Sequence, residues 1–141
     1  MQQITWEMSV STQGRGLVEI TREITQDVED SGFDEGLLTI FIRHTSASLT
    51  IQENADPDVQ RDLNAFFDRL VPDGDDLFVH TSEGSDDMPS HVRSALTQTS
   101  LHIPLIRGQP ALGTWQGIYV FEHRTRPHVR NLICHLTGLP K

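Results

Sequence analysis

The run from Thr114 to His123 constrains this chain more than any other stretch. It reads as one extended strand, yet both of its faces are apolar: Trp115, Tyr119 and Phe121 point one way, Ile118 and Val120 the other. A strand of that kind must be covered on both sides, by a second sheet, a helix layer or another subunit. Leu101 to Ile106 and Val129 to Thr137 also read as strands, with a turn at Gly108-Gln109-Pro110, so the last third of the chain is a set of strands.

The first two thirds mix both periods. Ile4, Trp6, Met8 and Val10 alternate with polar neighbours as in a half-buried strand. After a glycine turn, Leu17 to Ile20 is a short strand, and Thr21 can cap a helix that carries Ile24 and Val28 and stops at Gly32. In residues 36 to 44, GLLTIFIRH, one strand face holds Leu38, Ile40, Ile42 and His44. A following strand places Leu49, Ile51 and Glu53 in the same alternation. Asp56-Pro57 opens a helix whose apolar stripe is Val59, Leu63, Phe66, Phe67 and Leu70. Pro72 to Asp76 is a turn whose carboxylates read as a solvated loop, with a Ca²⁺ site as the minority alternative. A short strand from Leu77 to Thr81 and a helix begun by Asp86, Asp87 and Pro89 follow.

This order lacks the regular alternation of a parallel sheet, so the expected class is α+β with a mainly antiparallel sheet system and about three helices. A length of 141 residues suits a single domain, residues 1–141, with one core.

Acidic residues outnumber basic ones by 20 to 11, a formal charge of −9, which argues against nucleic acid and anionic lipid as partners. Ten of the eleven basic residues are arginine, so planar forks remain available for a small anionic ligand. The one cysteine, Cys134, excludes an internal disulfide and reads as a small buried hydrophobe. No apolar run approaches the roughly 18 residues of a membrane span, and no basic-then-apolar leader is visible, so a cytoplasmic setting is expected.

His44 and Glu53 are the first candidate site residues, because polar groups on an apolar strand face need partners or a solvent cavity. His44, His91 and His123 each fall at a strand end or in a first helical turn, near Glu53, Asp86, Asp87 and Glu122, the residue types of a divalent metal or proton-transfer site. Asp87 and His91, four apart, share a helix face. Against this, helix capping and dipole effects alone account for Asp56, Asp86 and Asp87. His80, His102, His128 and His135 read as surface or packing residues. In GTWQG, residues 113 to 117, the two glycines allow close approach of a ligand or backbone, or mark a bulge.

Three segments, HTSASLTIQENADPDV (44 to 59), EGSDDMPSHVRSAL (83 to 96) and LGTWQGIYVFEHR (112 to 124), together resemble the signature blocks of the YjbQ family in order and spacing. The pattern departs at Gln52, where the family often carries Asn. The resemblance implies a β-sandwich-like core, a homotrimer and a polar pocket. It also implies a weak secondary thiamine-phosphate synthase activity, joining a hydroxymethylpyrimidine diphosphate to a thiazole phosphate. The catalytic set it suggests is His44, Glu53, Asp87, His91, Gln116 and His123, with Thr45, Asn54 and Arg124 binding a phosphorylated substrate. A divalent metal would be held from among His44, His91, His123, Asp86, Asp87 and Glu122. Carboxylates would suit Mg²⁺; a three-histidine site at His44, His91 and His123 would suit Zn²⁺ and a phosphate-ester hydrolase or a metal or small-ligand binding protein.

Overall fold

The computed structural model describes residues 1–141. The strands are β1 (Gln2–Thr12), β2 (Gly16–Glu19), β3 (Phe33–Ile42), β4 (Ala47–Glu53), β5 (Ser100–Ile106), β6 (Gln109–Pro110), β7 (Gln116–Glu122) and β8 (His128–Pro140). The helices are α1 (Thr21–Ser31), α2 (Pro57–Leu70) and α3 (Asp87–Leu96). They form a five-stranded sheet ordered β1-β8-β3-β5-β6 and a three-stranded sheet ordered β2-β7-β4, with every pair antiparallel. The expected α+β class, antiparallel sheets and three helices are what the chain adopts.

The doubly apolar strand explains the layering. β7 is the middle strand of the smaller sheet. Its Ile118 and Val120 enter the core shared with Leu38, Ile40 and Ile42 of β3 and Leu132, Cys134 and Leu136 of β8. Ile24 and Val28 of α1 close one end of that core. Each such aliphatic side chain contributes roughly 1.5–3 kcal/mol on burial. On the opposite face Phe121 meets Phe67 of α2 edge-on, with ring centroids 5.4 Å apart. The two covers are therefore a sheet and a helix.

Four local expectations change. Trp115 stays outside β7, exposed in the preceding turn. Thr21 is the first helical residue of α1 and does not cap it; its hydroxyl accepts the Ile118 N–H at 2.9 Å and so ties α1 to β7. The apolar stripe of α2 is only partly covered: Phe67 packs on Phe121, while Phe66 and Leu70 are about half exposed. Leu77 to Thr81 forms no strand. No sheet edge lies alongside it, Leu77 and Val79 are exposed, and the segment is closed by turn bonds such as Phe78 N–H to the Asp75 carbonyl.

Candidate functional site

The ladder between β4 and β7 runs from Ala47 opposite Glu122 at one end to Glu53 opposite Gln116 at the other. Six residue steps at about 3.3 Å put these ends roughly 20 Å apart. The expected site residues divide between them.

At the Glu53 end the polar groups hold turns. Glu53 Oε2 accepts the backbone N–H groups of Ala55 (2.9 Å) and Asp56 (2.7 Å), just ahead of α2. Asp56 caps α2 by accepting the Asp58 N–H. Gln116 Oε1 accepts the Gly113 N–H at 2.7 Å, and the Asn54 amide reaches the Gln116 carbonyl. Gly117 makes a close approach, since a Cβ there would press on Glu19 and Tyr119. The space between its neighbours is filled by the protein itself.

At the other end the side chains converge. β7 ends at Glu122, and the next two residues turn toward the N-terminus of α3. Glu122 is fully enclosed: its Oε1 accepts from the Thr12 hydroxyl (2.6 Å) and Arg130 Nε (2.8 Å), and its Oε2 from the backbone N–H groups of His123 and Arg124. Burial pushes its carboxyl up, but the Arg130 and Thr12 hydrogen bonds outweigh that and hold it below the ordinary range. A carboxylate so occupied supports the turn and offers no free oxygen to a metal.

Arg124 spans the junction into α3. Its Nε donates to Asp86 Oδ2 (3.0 Å), Nη1 to Asp87 Oδ1 (2.8 Å) and Nη2 to the Glu83 carbonyl (3.0 Å). Asp86, expected as a helix cap, makes no capping bond and instead accepts from Arg124 and from the N–H and hydroxyl of Thr125. Burial raises its pKa, and the Thr125 and Arg124 hydrogen bonds more than reverse this. The fork of Arg124 is spent on protein oxygens.

The remaining oxygen of Asp87 faces two imidazoles. His80 Nε2 lies 2.7 Å from Asp87 Oδ2, and His91 Nε2 3.2 Å. These three ligand atoms lie within 4.8 Å of one another and form the one metal-competent group in the molecule. His91 Nδ1 donates to the Thr45 carbonyl at 2.9 Å, which fixes the ring with its Nε2 edge against Asp87. Asp87 is 2 % exposed. Burial acts to raise its pKa, but His80, Glu83, His91 and Arg124 together lower it, so the carboxylate is ionised. A cavity of about 280 Å³, lined by His80, Asp76, Phe78, Thr81, Ser85 and Met88 among others, adjoins the group.

The histidine set His44, His91 and His123 is not assembled. His123 is enclosed between β7 and β4, with Nε2 2.9 Å from the Ser48 hydroxyl, and burial, then the Arg93 charge, push its pKa down to about 3. His44 lies beyond the end of β3, where its Nε2 accepts the Asn131 N–H at 2.8 Å. His80, read from the sequence as a surface or packing residue, takes the third position. The signal for it was thin: an Asp-x3-His pair on a helix face with a histidine seven residues upstream, on a segment that Gly74 and Gly84 fold back. Asp73 and Asp75 serve the same loop, pairing with Arg15 and accepting the Leu77 N–H.

The family model described as "UPF0047 protein YjbQ-like" matches residues 6–139. The chain belongs to the YjbQ family. The UPF0047 protein sll1880 of Synechocystis is 54% identical over 129 residues, spanning 92% of this chain and 88% of its own. The UPF0047 protein YjbQ of Escherichia coli O157:H7 is 43% identical over 132 residues, 93% and 95% of the two chains. Among solved structures, an uncharacterized conserved protein of the YjbQ/UPF0047 family from Clostridium acetobutylicum superposes with a TM-score of 0.85 at 34% identity, covering 94% and 99%. The conserved hypothetical protein TT1486 of Thermus thermophilus gives 0.84 at 32% identity, with the same coverage. The YjbQ family thus shares this fold over nearly the whole chain. No helix of the molecule is long and apolar enough to cross a membrane.

Proposed function

We propose that this protein is a divalent-metal-dependent enzyme acting on a small phosphorylated molecule, with His80, Asp87 and His91 as the metal ligands. The observation that carries the reading is the convergence of His80 Nε2 and His91 Nε2 on one oxygen of a buried, ionised aspartate, with the His91 ring held in place by the Thr45 carbonyl. Two imidazoles and one carboxylate are a donor set suited to Zn²⁺ or another transition metal, whereas Mg²⁺ prefers oxygen ligands and water. A cation held there supplies a Lewis acid and a bound water of lowered pKa. With −9 overall and Arg124 already engaged, an anionic substrate needs that positive charge. The reaction class that fits is hydrolysis of a phosphate ester, in which water attacks phosphorus, the P–O bond to the alcohol breaks and the alcohol leaves with a proton.

A second reading, the secondary thiamine-phosphate synthase activity, draws on the three sequence blocks, two of which meet around Asp87, His91 and Arg124. The thiazole nitrogen would bond to the pyrimidine methyl carbon as its C–O bond breaks, and pyrophosphate would leave with its charge balanced at the same site. A homotrimer in the cytoplasm belongs to the same proposal, and the enclosed, unpaired Cys134 is consistent with a reducing setting.

Elemental analysis of the purified protein, with phosphatase and thiamine-phosphate synthase assays beside a His91→Ala control, tests the proposal. Near-stoichiometric zinc lost in the variant, with ester hydrolysis, is expected. Equal metal content in both proteins refutes the site, and metal-dependent synthase activity without hydrolysis selects the second reading.

A further inference from the structure

We infer that Arg124 is a positioning residue that restricts Asp87 to binding a cation through one oxygen, and so keeps a coordination position open for substrate. This rests on the metal-site reading above.

Asp87 has two carboxylate oxygens, and the structure divides them. Oδ2 faces His80 and His91; Oδ1 takes the 2.8 Å bond from Arg124 Nη1. Two-oxygen chelation would require Oδ1 to rotate toward the cation and leave a buried guanidinium donor without its acceptor, which protein interiors disfavour. Arg124 cannot follow the rotation. Its other two nitrogens are bound to Asp86 Oδ2 and the Glu83 carbonyl, and its backbone N–H is gripped by Glu122 Oε2. Glu122 is in turn held by Thr12 and Arg130 from inside the fold. A rigid line of contacts therefore runs from β1 and β8 to the unused oxygen of Asp87.

The consequence is a ligand count. Two nitrogens and one oxygen leave a tetrahedral site with one vacancy for water or a substrate oxygen. A two-oxygen Asp87 would fill that vacancy. Lysine keeps the charge of Arg124 but cannot span three acceptors with a fixed fork.

The test uses the 141-residue chain loaded with Co²⁺ or Zn²⁺. X-ray absorption of the zinc form is expected to count four light-atom ligands, and the cobalt form to show the intense visible band of four-coordination, shifted on titration with inorganic phosphate. In Arg124→Lys the band should weaken as coordination rises, phosphate should perturb it less, and metal affinity should fall roughly 10–100-fold, the usual effect of removing a ligand's hydrogen-bond partner. A variant that keeps the wild-type band and phosphate response, with only its melting temperature lowered, would show a purely structural arginine and overturn the inference. Should Arg124→Lys fail to fold, the wild-type ligand count decides alone, with five or six ligands overturning the inference. Wild-type protein that binds neither ion refutes the metal site itself, a failure seen before any variant is made.

Discussion

His91 Nδ1 donates to the carbonyl of Thr45 across 2.9 Å, a contact between α3 and the loop joining β3 to β4, 46 residues apart in sequence. That bond orients a surface helix histidine, holding its Nε2 3.2 Å from Asp87 Oδ2.

Metal binding should therefore follow the geometry and not the histidine count. Calorimetric titration with Zn²⁺ is expected to lose measurable tight binding in His80→Ala and in Asp87→Asn, while His44→Ala retains it within about threefold, its ring being engaged with the Asn131 N–H. Retained binding in His80→Ala would remove that residue from the site.

Acid should destabilise the protein well before its carboxylates titrate. His123 has its pKa pushed from 6.5 down to about 3 by burial and by Arg93, so between these values the unfolded chain binds a proton that the folded one refuses. Stability is complete above pH 6.5 and falls as pH drops, by up to about 1.4 kcal/mol per pH unit from this group. Asp86, Asp87 and Glu122, all lowered, add their loss below about pH 4. Urea unfolding at pH 7, 5.5 and 4.5 should show the decline, and His123→Gln, weaker at pH 7, should decline less steeply. Parallel curves would assign the acid sensitivity elsewhere.

Glu53 should matter for stability alone. Its Oε2 accepts two backbone N–H groups ahead of α2, so Glu53→Ala is expected to cost about 1–2 kcal/mol in denaturant unfolding and leave zinc affinity unchanged. A fall in zinc affinity at unchanged stability would return Glu53 to the site.

Gly138→Ala probes the close crossing of β3 and β8. Gly36 and Gly138 are paired, and a Cβ on Gly138 would overlap the Glu35 carbonyl oxygen. The substitution is expected to cost about 3 kcal/mol, read as a lower melting temperature, because backbone must move to admit it. A variant as stable as wild type would mean the strands can separate freely there.

What the sequence determined by itself follows from period and neighbours. Alternation placed β1, β3 and β4, and runs of strand-forming residues placed β5, β7 and β8. The 3.6-residue stripe with Asp56-Pro57 placed α2, and the two apolar faces of β7 required the covers that the larger sheet and α2 provide. These signals are local, so the chain carries them in the open. Where tertiary contacts competed, local reading failed: Thr21 caps nothing because the Ile118 N–H takes its hydroxyl, and Leu77 to Thr81 is no strand because no edge is there to pair with. The candidate site was legible only as residue types. Which histidines meet depends on how a loop returns over α3 and where β7 ends, distances set by packing and not by spacing. Tertiary structure alone could bring His80 to Asp87, enclose His123 beside Ser48, occupy Glu122 with Arg130, and leave Glu53 and Gln116 holding turns about 20 Å away along the β4–β7 ladder.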